Sequence, residues 1–168
     1  QIMPQLTKIF GDYEVFSVEE QLYEDIKDGE VPYKFKGFID LVIRTNDGKF
    51  HIIDWKTCSW GWKREKKSDK TLAYQLVFYK HFYAQKYDVE PKDLECHFVL
   101  LKRTAKPGNK VEFVRVTAAK KRTQDAMKAL TTALYNITNE RYIKNRNSCV
   151  NCKQRPGACE FYRTEHCK

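Results

Sequence analysis

Three charged side chains interrupt stretches that otherwise read as apolar strands. Asp40 breaks the run GFIDLVI, and Asp54 and Lys56 break HIIDWKT. A charge inside an apolar strand is expensive unless something pairs with it or binds it. Alternation along a strand puts Asp54 and Lys56 on one face. A hairpin can bring Asp40 alongside them. Two converging carboxylates make a site for a hard divalent cation such as Mg²⁺ or Mn²⁺, which prefers oxygen ligands. Such a cation can polarise a phosphodiester and activate a water, while a neighbouring lysine stabilises charge developing on phosphorus. One buried Asp alone would be read as an ion pair or a turn cap. Three such groups on adjoining strands favour the metal reading.

The elements that must position these groups follow from periodicity. Residues 13–26 read as a strand. Tyr33, Phe35, Ile39, Leu41 and Ile43 recur at period two, and Phe50, Ile52, Asp54 and Lys56 share a face of the next strand. Asn46-Asp47-Gly48 supplies the hairpin turn between 33–45 and 49–57. Residues 59–70 read as a polar, basic loop. Leu72, Leu76, Tyr79 and Tyr83 then follow helical spacing over 71–86. Two further strands, 95–104 and 111–117, flank the turn at Lys106-Pro107-Gly108-Asn109. A second helix is expected over 118–141, with Ala126, Leu130, Ala133, Leu134 and Ile137 on its buried side. The order predicts a mixed α/β fold, a sheet flanked by helices.

These residues carry a resemblance. GFID, a short hairpin, IIDWKT and a helix containing QLVFY are similar, over roughly residues 15–86, to the RecB-like branch of the PD-(D/E)XK nucleases. Within that branch the chain looks like phage exonucleases and the CRISPR-associated and AddB-type nucleases. The resemblance implies a restriction-endonuclease-like core in which Asp40 and Asp54 bind Mg²⁺ or Mn²⁺ and Lys56 is catalytic. It implies that Gln75 and Tyr79, four apart on one helix face, help position the DNA strand and the active site. Glu19, in SVEEQL, matches an acidic position that often precedes GxxD. Alternation lets only one of Glu19 and Glu20 point inward, and Glu19 is preferred. The family usually adds a His or Glu from an N-terminal helix to the metal shell. Here twelve residues precede the first strand and no histidine occurs before His51. The expectation is a helix on a segment outside this chain, or a shell completed differently.

The implied activity is a metal-dependent deoxyribonuclease, an exonuclease in recombination, repair or replication. An endonuclease on the same scaffold and a non-catalytic nucleic-acid-binding module are the alternatives. The expected partner is DNA, single-stranded or at duplex ends. A helicase would be a separate protein or another part of the chain.

The composition agrees with these expectations. The 168 residues include 31 Lys+Arg against 22 Asp+Glu, a formal charge of +9 that favours polyanionic partners. Apolar residues at 42% and aromatics at 14% exclude a disordered chain. No apolar run approaches the ~18 residues of a membrane span. Basic residues Lys63, Arg64, Lys66 and Lys67 follow the second strand beside Trp60 and Trp62, a composition suited to stacking bases and neutralising phosphates. A solvated loop with one tryptophan packed on the core fits the same residues. Four of the six cysteines, Cys149, Cys152, Cys159 and Cys167, crowd into the last twenty residues. That clustering points to zinc or an iron–sulfur cluster in a reducing, cytoplasmic setting rather than to a secreted disulfide framework. In relatives such as the AddB-like nucleases a 4Fe–4S cluster uses three C-terminal cysteines and one N-terminal one. Four local thiols leave zinc equally open. The expected organisation is a core over 1–147 and a metal-binding tail over 148–168.

Overall fold

The computed structural model describes residues 2–27, 32–142 and 164–165. Cys149, Cys152, Cys159 and Cys167 lie outside them, as does the expected boundary at 147/148. The chain divides into two compact units, Gln1–Thr132 and Ala133–Lys168.

The first unit is built on a five-stranded sheet in the order β1-β2-β3-β4-β5. Helix α1 (Ile2–Phe10) precedes β1 (Tyr13–Asp25), β2 (Lys34–Thr45) and β3 (Phe50–Cys58). A short helix α2 (Arg64–Lys67) and the long α3 (Lys70–Tyr87) cross to β4 (Leu94–Lys102), followed by β5 (Val111–Val116) and α4 (Lys120–Thr138). Neighbouring strands are antiparallel except β3 and β4, which run parallel. A parallel pair needs a long crossover, and α3 supplies it. The mixed α/β expectation holds.

Local chemistry explains the element ends. Asp69 caps α3, its carboxylate accepting from the Thr71 and Leu72 N–H groups. Asp88 ends it in the left-handed region at φ 52°. The β2–β3 turn closes with the Gly48 N–H donating to the Thr45 carbonyl at 2.9 Å.

The core lies on both faces of the sheet. On one, Leu6 of α1 packs with Leu41, Ile43, Ile53 and Val99. On the other, α3 buries Leu76, Val77, Phe82 and Tyr83. Each fully buried aliphatic or aromatic side chain contributes roughly 1.5–3 kcal/mol.

Two expectations change. Residues 59–70 contain a helical turn, α2, rather than loop throughout, because the Lys67 and Ser68 N–H groups close on the Lys63 and Arg64 carbonyls. In α4 only Ala126 and Met127 are buried, while Ala133 and Ile137 are exposed. Ala133, Leu134 and Ile137 belong to the second unit.

Candidate active site

Strands β2 and β3 pair from Arg44–Phe50 to Leu41–Ile53. One step further along the same register stand Asp40 and Asp54. There the ladder gives way to a side-chain bond, in which the Trp55 N–H donates to Asp40 Oδ2 at 2.7 Å. Strand β1 is irregular at the same level. Val18 pairs with Leu41 and Glu20 with Ile39, and between them Glu19 adopts φ 51°.

This break changes which way β2 faces. Leu41 and Ile43 pack with Leu6 of α1, yet Phe35, of the same alternation, stacks on Phe82 of α3 with ring centroids 4.3 Å apart. Residues of one parity thus serve opposite faces, so alternation slips between them. Asp40 sits within that slip, which frees its carboxylate to bridge to β3.

Asp54 and Lys56 face α3. Asp54 is 2% exposed. Its Oδ1 accepts from Gln75 Nε2 at 2.9 Å, and Gln75 Nε2 also lies 3.2 Å from the Tyr79 hydroxyl. Lys56 Nζ approaches Asp54 Oδ2 at 2.6 Å, but Oδ2 receives no directed hydrogen bond. The Lys56 ammonium is the group that meets this oxygen, and it lowers the pKa of the carboxyl both by hydrogen bonding and by its charge. Lys56 spans the site, its ammonium 5.6 Å from the centre of the Phe98 ring and its side chain 29% exposed. Burial pushes the Asp54 carboxyl above its ordinary range, Lys56 pulls it back, and Asp40 pushes it further up.

These features match what a hard cation requires. Asp54 Oδ2 is a buried carboxylate oxygen without a directed donor, and Asp40 adds a second carboxylate across the strand break. An all-oxygen pair of this kind suits Mg²⁺ or Mn²⁺.

The structure therefore gathers Asp40, Asp54, Lys56, Gln75 and Tyr79. It leaves Glu19 exposed, against the inward orientation expected of it. The half-buried neighbour is Glu20, bound to Lys86 Nζ at 2.5 Å and to the Tyr87 hydroxyl at 2.6 Å. The left-handed turn at Glu19 resets alternation, which is why Glu20 takes the inward place. Trp62 is also corrected as a stacking residue. It is 8% exposed, packed edge-on to Phe98 at 5.2 Å, with Lys66 Nζ 4.9 Å above its ring. Trp60 is 77% exposed. Lys63 and Arg64 are exposed, and Lys67 pairs with Glu112 at 2.5 Å. Helix α1 precedes β1 but carries neither His nor Glu.

Gly37 was not singled out by sequence reasoning, though it is the Gly of GFID. A Cβ there would lie 2.8 Å from Tyr79 Cε1. A second missed group, His51, Glu95 and His97, becomes visible only through the parallel register of β3 and β4.

Residues 5–160 match the family described as the PD-(D/E)XK nuclease superfamily. No curated protein matches the chain. Among solved structures it is similar to one described as "Crystal structure of SSO0001", at 19% identity and a TM-score of 0.48, covering 79% of this chain. The match spans 55% of that protein's length.

Proposed function

This chain belongs to the PD-(D/E)XK nuclease superfamily, and from that premise we propose that it hydrolyses DNA phosphodiester bonds with Mg²⁺ or Mn²⁺, as an exonuclease. The observation that carries the reading is Asp54. Its carboxylate is buried, one oxygen is fixed by Gln75, and the other meets only the Lys56 ammonium.

In this reading Asp40 and Asp54 hold the cation, which when bound polarises the phosphodiester and lowers the pKa of water. Trp55 N–H orients the Asp40 carboxylate, and Gln75 orients that of Asp54. Lys56, pairing with Asp54 while reaching solvent, stabilises negative charge developing on the scissile phosphate. Tyr79 supports Gln75 from the same helix face. Exposed Trp60 offers a stacking surface beside Lys63 and Arg64, which neutralise backbone phosphates. Glu19 is exposed and opposite Asp40, so any part it takes would come through the solvent side of the site.

Assignment to the RecB-like, phage-type branch rests on the order GFID, IIDWKT and QLVFY. A role in recombination, repair or replication rests on the same resemblance. The four tail cysteines are proposed to hold structural zinc or a 4Fe–4S cluster, on spacing alone. Their clustering also supports a reducing, cytoplasmic setting. Among the described residues no helix is long and apolar enough to cross a membrane.

The test is digestion of end-labelled single- and double-stranded DNA and of closed circular DNA with Mg²⁺ or Mn²⁺. Wild type is compared with Asp54→Asn and Lys56→Ala. Metal-dependent cleavage of the linear substrates only, lost in both variants, is the expected result. Cleavage of closed circles would make the enzyme an endonuclease. Activity surviving both substitutions would remove the proposed centre.

A further inference from the structure

On the sheet face that packs α1, opposite Asp54, a second group of ligating side chains converges. The parallel pairing of β3 and β4 sets His51 beside Glu95 and Ile53 beside His97. One donor atom from each of His51, Glu95 and His97 lies within 4.8 Å of the others. His51 Nδ1 and His97 Nε2 are 3.3 Å apart. Glu95 Oε2 lies 4.0 Å from the first and 3.8 Å from the second.

The spacing has a specific meaning. Two imidazole nitrogens bound at about 2.05 Å to a tetrahedral zinc are separated by about 3.3 Å. The histidine pair already stands at that distance, and the carboxylate needs to move in by only about half an ångström.

The surrounding hydrogen bonds set the protonation of one ring. The Thr45 hydroxyl donates to Asp47 Oδ1 at 2.5 Å, so toward His51 Nε2, 3.2 Å away, its oxygen is an acceptor. His51 therefore carries its proton on Nε2 and turns the Nδ1 lone pair toward Glu95 and His97. Three acceptor atoms then meet at one point with at most the single His97 proton to share. A histidine–histidine hydrogen bond explains the contact between the rings. It leaves the carboxylate oxygen facing them unexplained.

Outer partners hold the group in place, as they do around metal ligands. Arg115 binds the far oxygen of Glu95 at 2.9 Å. Phe10 covers both imidazoles, its ring centre 4.6 Å from that of His51 and 5.3 Å from that of His97. Both histidines are 6% exposed. Burial lowers the pKa of each, that of His97 to about 3, so the neutral rings keep lone pairs for a metal.

We propose that His51, Glu95 and His97 form a second metal site, separate from Asp40 and Asp54, that takes a transition dication of the zinc class with water as fourth ligand. Two nitrogens and one oxygen suit such an ion and not Mg²⁺. The site ties the start of β3 to β4 beneath α1, with His51 three residues before Asp54 on the same strand.

The test is a titration of the full chain with Zn²⁺, followed by long-range ¹H–¹⁵N spectra of the imidazoles. The chain has only four histidines, and the readout is residue-specific, so zinc taken by the tail cysteines does not obscure it. His51 and His97 signals are expected to shift together and saturate, both in wild type and in Asp54→Asn, with Mg²⁺ leaving them unmoved. Glu95→Gln, a conservative change, is expected to weaken this zinc affinity at least tenfold while the spectrum remains that of a folded protein. His51 and His97 signals unmoved by excess Zn²⁺ would overturn the proposal. So would an equal response to Mg²⁺.

Discussion

Tyr79 occupies the space that a side chain on residue 37 would need: a Cβ built on Gly37 would stand 2.8 Å from Tyr79 Cε1. Strand β2 and helix α3 therefore meet at this glycine, and the helix carries Gln75 to Asp54 from that contact. Gly37→Ala is expected to destabilise the protein by about 1–3 kcal/mol through overpacking. Urea denaturation measures it. Paired with Tyr79→Ala, the two losses should be less than additive, because the second removes the clash created by the first.

Gln75→Ala leaves the buried Asp54 Oδ1 without its donor. A hydrogen bond to a charged group is worth about 1.5–3 kcal/mol, so roughly a tenfold to hundredfold fall in Mn²⁺-supported cleavage is expected. Mn²⁺ affinity measured by calorimetry should fall with it, while DNA affinity without metal stays within about twofold. Unchanged metal affinity and cleavage would show that Asp54 needs no orientation from α3.

Acid stability should depend on Glu20. Burial raises its pKa, but hydrogen bonds from Lys86 and Tyr87 and the Lys86 charge together outweigh that and leave it lowered. A carboxylate with a lowered folded pKa contributes stability above its unfolded value, near pH 4.5, and loses it as pH falls through the folded value. Glu20→Gln should therefore cost on the order of 1 kcal/mol at pH 7 and less at pH 3. Urea midpoints at pH 7, 5 and 3 decide it, and an equal cost at all three would contradict the assignment.

The two loop tryptophans should separate cleanly. Trp60→Ala is expected to weaken single-stranded DNA binding by about 1–3 kcal/mol without changing the melting temperature. Trp62→Ala removes a buried ring packed on Phe98 and should cost about 3–5 kcal/mol of stability. Fluorescence anisotropy and thermal melts on the same samples distinguish them. DNA binding lost in Trp62→Ala while the fold persists would reverse the roles.

Sequence alone determined the parts that rest on local rules. Period-two spacing from Tyr33 to Ile43, the Asn46-Asp47-Gly48 turn and the helical spacing of Leu76, Tyr79 and Tyr83 located the hairpin and α3 near their observed bounds. Asp40, Asp54 and Lys56 stood out because a charge in an apolar strand has a cost that local context exposes. Gln75 and Tyr79 were legible as one helix face, and the structure brings that face to Asp54. Tertiary structure decided what depends on pairing between distant segments. The inward place of Glu20 rather than Glu19 follows from the left-handed conformation of Glu19, across which β1 keeps its register with β2. The burial of Trp62 depends on Phe98, thirty-six residues on in the numbering and reached only across the α3 crossover. The gathering of His51, Glu95 and His97 needs the parallel register of β3 and β4. Alternation says which residues of one strand share a face, but only the pairing register says which residues of two strands meet.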